Sequence, residues 1–491
     1  MTAATDVKTF GISQSKIFIN NQFVESVSGK TFATLNPATG SEITQVSEGD
    51  AADINAAVAA ARQAFSDGGK WSKSSGGRRG KYLWKISDLI SRNVDELAYL
   101  ETIDCGKPIS ETKNIEIPIT ADIFAYYAGA ASKIEGETIP VNGNFFNYTL
   151  REPLGVIGLI IPWNFPLITA ARKIAAALAA GNTVVVKPSE YTPLSTLKLA
   201  QLVQEAGLPE GVFNVVPGFG SAAGAALVNH PDVDGIAFTG STSVGQQIMR
   251  VGANSMKRLS LELGGKSPNI VFSDSDVDTA VKMATAAIFY NKGEVCTAGS
   301  RLLVEENIYD EFVEKLAARA AKMVPGDPLL PDTRLGPLTS EQQLTKVVGY
   351  VESGKQEGAK LLAGGARIGS EGYFFQPTVF GSVSTTMKIA REEIFGPVLS
   401  ALSFKDFDDA VQKANDTAYG LAAGIWTRDI KKAHNLARRI KAGTVWINTY
   451  NMYDAAMPYG GYKMSGFTRE CGMEAIYEFY TQVKSVWVDL N

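Results

Sequence analysis

Histidine is nearly absent: the 491 residues contain only His230 and His434. Histidine is the usual base that activates a cysteine or serine nucleophile. Neither one stands in a motif, so a Cys-His or Ser-His-Asp centre has no support, and neither has a histidine-rich metal site. Cysteine is almost as scarce. Cys105, Cys296 and Cys471 are widely spaced and form no C-x-x-C pair, which removes the basis for a cysteine zinc site. No metal is expected, and so sparse and odd a cysteine count fits a reducing compartment. No apolar run approaches the about 20 residues that span a bilayer, and Met1–Lys8 lacks the apolar stretch of a signal peptide. A cytoplasmic location is expected. Positive charge is not in excess either: a net charge of −4 with both signs interspersed leaves no nucleic-acid footprint.

What is present is a long chain with enough apolar content for more than one core. Short strands are expected at 17–23 and 30–35, and helices at 53–64, 78–110 (as two) and 114–134. The clearest pattern follows. Apolar runs at 154–161, 183–187, 212–216, 234–238 and 259–262 alternate with helical segments at 167–180, 195–206, 221–229 and 243–253. Alternation of this kind predicts a parallel sheet covered on both faces. Ligands of such sheets bind at the carboxyl ends of the strands. Those ends carry Trp163-Asn164, Lys187 and Glu190, Gly218 and Gly220, Thr239-Gly240-Ser241, and Glu262. Beyond 265 a second α/β unit is expected, with helices at 277–291, 309–323, 340–357, 410–415 and 430–440 and strands at 301–304 and 444–448. The tail 483–490 alternates like a strand. It reads equally well as an addition to a neighbouring subunit's sheet and as an edge strand of its own.

The chemistry concentrates on Cys296, in Gly293-Glu294-Val295-Cys296-Thr297-Ala298-Gly299, and on Glu262, in Leu261-Glu262-Leu263-Gly264-Gly265-Lys266. A soft nucleophile and a carboxylate, each among small residues, point to covalent catalysis followed by hydrolysis. Taken singly, each has a plainer explanation: Cys296 as a buried structural cysteine, Glu262 as a strand-end charge, Asn164 as a helix cap. Phe238-Thr239-Gly240-Ser241-Thr242 joins a strand to a helix, where free N–H groups and the helix dipole suit a pyrophosphate. It is neither a G-x-G-x-x-G fingerprint nor a P-loop. Glu190 suits ribose hydroxyls and repels a 2′-phosphate, which favours NAD over NADP.

These motifs, together with Pro162-Trp163-Asn164-Phe165-Pro166, Lys187-Pro188-Ser189-Glu190, Glu393-Ile394-Phe395-Gly396-Pro397-Val398 and Pro458-Tyr459-Gly460-Gly461-Tyr462-Lys463-Met464-Ser465-Gly466, carry a resemblance over nearly the whole chain. It resembles the NAD(P)-dependent aldehyde dehydrogenase superfamily, near its broad-specificity and betaine-aldehyde branches. The resemblance implies an α/β fold in three parts. These are a Rossmann-like NAD-binding domain (1–130 and 153–264), an α/β catalytic domain (265–470), and a small β-rich oligomerisation element (131–152 and 471–491). It implies a homotetramer, as a dimer of dimers, or a dimer. Cys296 would be the nucleophile, Asn164 the oxyanion donor, Glu262 the base, and Lys173 and Glu470 a proton relay behind it. Ile161, Pro162, Trp163, Lys187, Glu190, Gly220, Gly224, Phe238, Gly240, Ser241, Val244, Leu263, Glu393 and Phe395 would bind NAD. Phe165, Tyr127 (or Tyr126), Val295, Thr297, Tyr453, Met457 and Tyr459 would line the substrate tunnel.

An aromatic wall of that kind suits aromatic or medium aliphatic aldehydes. Its tyrosines also suit a quaternary ammonium, so betaine aldehyde or an aminoaldehyde is the alternative. Leu167 and Tyr459, where betaine-aldehyde enzymes usually carry tryptophan, speak against it. No extra arginine within the motifs points to a carboxylated substrate. Gly466-Phe467-Thr468-Arg469-Glu470-Cys471 departs from the commoner Gly-x-Gly-Arg-Glu-Leu. Two rivals are a non-catalytic protein of the same fold and a CoA-acylating relative. Intact Cys296 and Asn164 oppose the first, and Glu262 opposes both.

Overall fold

In the computed structural model, residues 10–11, 15–66 and 69–491 are described; the Met1–Lys8 segment lies outside them. The expected parallel sheet is there, and its order is informative. Five parallel strands run Phe213–Val215, Thr183–Lys187, Val156–Ile160, Gly235–Thr239 and Arg258–Glu262. The chain therefore builds outward in one direction and then returns to build in the other. The switch falls between Val156–Ile160 and Gly235–Thr239, which is where a doubly wound sheet opens a ligand crevice. The hairpin of Ile17–Ile19 and Gln22–Val24 extends one edge, and Gly466–Phe467 closes the other beside Glu262.

The near-continuous apolar strands are explained by burial on both faces. Val184 and Val186 enter a core shared with Gly76–Arg92, Ile117–Ala130, Pro166–Ala180 and Leu194–Ala206, while Val185 between them enters another shared with Ala51–Phe65 and Thr242–Gly252. Full burial of one such side chain stabilises by about 1.5–3 kcal/mol. The helix boundaries follow local chemistry. Asp50 and Asp53 make a reciprocal cap at the start of Ala51–Phe65. Gly181, at φ 99°, ends Pro166–Ala180 in the left-handed conformation that glycine adopts freely.

The second unit holds a larger sheet than its sequence pattern indicates. Its order is Lys360–Ala363, Thr378–Gly381, Val398–Phe404, Arg301–Glu305, Pro268–Val271, Ala422–Trp426 and Thr444–Ile447, with only the first strand antiparallel. The tail strand Thr481–Asp489 pairs antiparallel with Phe145–Pro153 of its own chain along its whole length. Among the described residues no helix is long and apolar enough to cross a membrane.

Candidate active site

Cys296 lies in the loop between the helix Val277–Phe289 and the strand Arg301–Glu305. The approach is a tight left-handed run, Asn291 (φ 43°), Lys292 (φ 58°) and Gly293 (φ 73°). A side chain on Gly293 would strike the Gly396 carbonyl, so only glycine lets the loop pass there. Two buried polar groups hold the turn. Lys292 Nζ donates to the Cys105 carbonyl at 2.8 Å and pairs with Glu294 at 2.9 Å. The Glu294 carboxylate also accepts from Thr339 N and Oγ1.

That loop fixes Asn164. Its Nδ2 donates to the Glu294 carbonyl at 2.8 Å, and its own carbonyl accepts from Asn291 Nδ2 at 2.9 Å. The side chain does not cap the following helix, whose first flanking residue is Phe165 and which has no side-chain cap. The plain explanation of Asn164 thus fails: its amide is turned toward the loop of the cysteine.

Glu262 ends the strand Arg258–Glu262 and is buried, with Oε1 lacking a hydrogen-bond partner. Burial pushes its carboxyl up to about 8; the nearby Glu470 adds to this, and Lys173 and Arg172 oppose it. The Cys296 thiol is held well above the ordinary range, first by burial and then by the Glu262 carboxylate. The Tyr459 hydroxyl and the Arg172 guanidinium pull it back. Tyr459 Oη is 3.0 Å from Cys296 Sγ. Lys173 and Glu470 form a buried ion pair, and Glu470 also accepts from Thr239 Oγ1 at 3.4 Å. Tyr459 and Glu470 exchange backbone hydrogen bonds at 2.7 and 2.6 Å, so the residue at the thiol is anchored to the pair behind the base.

The carboxyl ends of the five strands gather the other predicted residues. Ile161, Pro162 and Trp163 follow Val156–Ile160, and Trp163 meets Phe395 edge-on at 5.2 Å. Lys187 Nζ pairs with Glu190 at 3.0 Å. Gly220 and Gly224 bound a helical turn, and a side chain on Gly220 would meet nothing within 4 Å. Gly240 leaves no room for a side chain beside the Phe238 ring. Ser241 caps Thr242–Gly252 through the Val244 N–H, and Leu263 packs under Gly245. Glu393 accepts from Gly265 N at 2.9 Å, and burial raises its carboxyl. An open glycine turn, an exposed helix start and a strand-end carboxylate around one switch crevice fit a dinucleotide.

The residues expected along the tunnel do not all meet. Tyr453 and Tyr459 share a cluster with Cys296, Leu421 and Cys471. Val295 is buried beside the cysteine, and Thr297 Oγ1 donates to Asn451 at 3.1 Å. Phe165 stacks on Tyr290 and lies under Lys107. Tyr127 is fully buried and donates to the Gly472 carbonyl at 3.1 Å, whereas Met457 is 65% exposed. The departures in the late motif acquire a local explanation. Thr468 (φ 66°) and Cys471 (φ 67°) are both left-handed. Thr468 is held by Ser260 at 2.6 Å, and Cys471 Sγ by Tyr453 Oη at 2.8 Å.

Comparison with known proteins decides the family. The aldehyde dehydrogenase family model matches residues 23–486. The chain belongs to the aldehyde dehydrogenase family. An aldehyde dehydrogenase of Enchytraeus buchholzi is 53% identical over 98% of this chain and 97% of that protein. The human mitochondrial aldehyde dehydrogenase is 51% identical, over 96% of this chain and 92% of its own length. The structure of the NAD+ complex of a Bacillus cereus aldehyde dehydrogenase superposes with a TM-score of 0.96 at 49% identity, covering 97% of both chains. The chain is therefore an aldehyde dehydrogenase in fold and in activity class. One charged side chain of its site, Arg172, lies outside every motif read from the sequence.

Proposed function

We propose that this aldehyde dehydrogenase uses NAD to oxidise an aromatic or aliphatic aldehyde to its acid, through a Cys296 adduct that water resolves. The observation that carries the reading is Glu262, a buried carboxylate with a free oxygen, close enough to the Cys296 thiol for its charge to raise the thiol's affinity for its proton. Glu262 takes the thiol proton as Cys296 attacks the carbonyl carbon, and the thiohemiacetal forms. The oxyanion accepts from the second hydrogen of Asn164 Nδ2 and from the Cys296 backbone N–H. Bound NAD supplies a hydride acceptor. Glu262 passes the thiol proton to the Lys173–Glu470 pair behind it and so to solvent; as a carboxylate again, it removes a proton from the water that cleaves the thioester.

The switch-point residues described above would hold the dinucleotide, with Lys187 and Glu190 at the adenosine ribose, the Ser241 turn at the pyrophosphate and Glu393 at the nicotinamide ribose. A panel of phenylacetaldehyde, benzaldehyde, hexanal, betaine aldehyde and 4-aminobutyraldehyde, with NAD and NADP in parallel, tests the reading. NADH should form with uncharged aldehydes and NADP should be the poorer acceptor; NAD binding without turnover on any aldehyde would return the chain to the non-catalytic rival. Asn164→Ala should lower kcat/KM by roughly a hundred- to a thousandfold. An unchanged value removes Asn164 from the oxyanion site.

The ribbon of Phe145–Pro153 and Thr481–Asp489 exposes Phe146, Leu150, Val483 and Trp487. Exposed apolar groups on unpaired strand edges support self-association as a dimer of dimers. Trp487→Lys should lower the mass measured by light scattering, and an unaltered mass would place the interface elsewhere. The three unpaired cysteines support a reducing, cytoplasmic location.

A further inference from the structure

Every residue of the helix Pro166–Ala180 is buried except Arg172. A guanidinium carried by such a helix is costly to hold unless it is paired. Its neighbour Lys173 has a carboxylate, that of Glu470. Among the described residues, Arg172 has none within ion-pairing distance. Its Nε donates to Tyr453 Oη at 3.2 Å. Its guanidinium carbon lies 4.3 Å from the Tyr453 ring centre and 4.6 Å from that of Tyr459. Two aromatic faces thus hold the cation in place, while the terminal nitrogens, which form the arginine fork, keep their donors. Tyr459 ties this arrangement to the chemistry: its hydroxyl is at the Cys296 sulfur and its ring is against Arg172.

A fixed fork of donors between two flat walls, on the same tyrosine as the nucleophile, matches a carboxylate at the far end of a short substrate. We propose that the aldehyde oxidised at Cys296 carries a carboxylate, and that Arg172 binds it between Tyr453 and Tyr459. The proposal rests on Cys296 being the site of aldehyde oxidation, and it deepens that reading by naming the substrate class: ω-oxocarboxylates or carboxylated aromatic aldehydes. The same charge repels betaine aldehyde and 4-aminobutyraldehyde. The absence of a carboxylate-binding arginine holds for the motifs alone, since Arg172 lies further along the helix.

The test is steady-state kinetics with saturating NAD on two series of matched length: 4-oxobutanoate, 5-oxopentanoate and 6-oxohexanoate against butanal, pentanal and hexanal. For the best-fitting length, the wild-type enzyme should prefer the oxo acid by roughly tenfold or more in kcat/KM, chiefly through KM. In Arg172→Gln that ratio should collapse toward one, and Arg172→Lys should restore part of it. A wild-type enzyme that handles both series alike overturns the proposal. So does an Arg172→Gln enzyme that loses kcat equally on both, which assigns the arginine to support of Cys296. If Arg172→Gln does not fold, the wild-type ratio decides alone. If no aldehyde of either series is oxidised, it is the reading of Cys296 that fails.

Discussion

Cys296→Ser should abolish aldehyde oxidation, lowering kcat by roughly four orders of magnitude or more. The serine hydroxyl is far less acidic than a thiol, and nothing at the site would compensate. No histidine is at hand: His230 and His434 are in neither motif nor site. The surroundings already resist formation of an anion, since burial and the Glu262 carboxylate both hold the thiol protonated. Sulfur tolerates this because the proton leaves as the carbon–sulfur bond forms. Oxygen in the same place faces the same penalties with a weaker nucleophile. The substitution removes no buried apolar volume of consequence, so the variant should still bind NAD, as protection from thermal unfolding would show. Near wild-type turnover in that variant would exclude the covalent route.

Glu262→Gln should separate the two halves of the reaction. Glutamine keeps the size of the side chain and cannot accept a proton from water. The first NADH should appear as a burst, slowed to the extent that Glu262 also deprotonates the thiol, and steady-state turnover should fall by roughly a hundred- to ten-thousandfold. The pH profile supplies a second check. Below about 8 the Glu262 carboxyl is protonated and inactive as a base; above it the carboxylate is available. Deacylation should therefore rise with pH through that region in the wild type. It should lose that inflection in Glu262→Gln. A variant with unchanged turnover, or one with the same inflection, would place the base elsewhere.

Much of this arrangement was legible in the order of residues. Runs such as Thr183–Lys187, apolar on both faces and stopped by proline, admit only a covered parallel strand, and parallel strands put their carboxyl ends together. Glu190, Gly240 and Glu262 could be placed at one edge on that basis. The strands Pro268–Val271, Thr378–Gly381, Val398–Phe404 and Ala422–Trp426 were not legible, because the first two are only four residues long and the other two carry Ala, Ser and Gly, which are weak strand formers. The pairing of Thr481–Asp489 with Phe145–Pro153 joins segments far apart in sequence, and alternation alone does not choose a partner. The family resemblance made Asn164 the oxyanion donor, but the residues taken by themselves left its amide open. An asparagine ahead of a helix reads equally as a cap, and the Glu294 carbonyl that its amide meets excludes that reading. Arg172 did carry a signal: a lone arginine in an alanine-rich apolar helix. Lys173 next to it drew that signal, and the two partners, Glu470 for one and the tyrosine pair for the other, come from a segment nearly three hundred positions away.

The most direct test is mass spectrometry of the Glu262→Gln enzyme, quenched within a turnover after mixing with NAD and pentanal. The account predicts an acyl adduct on the peptide that contains Cys296, in step with the NADH released. NADH formed with Cys296 unmodified, or an adduct on Cys105 or Cys471, would contradict it.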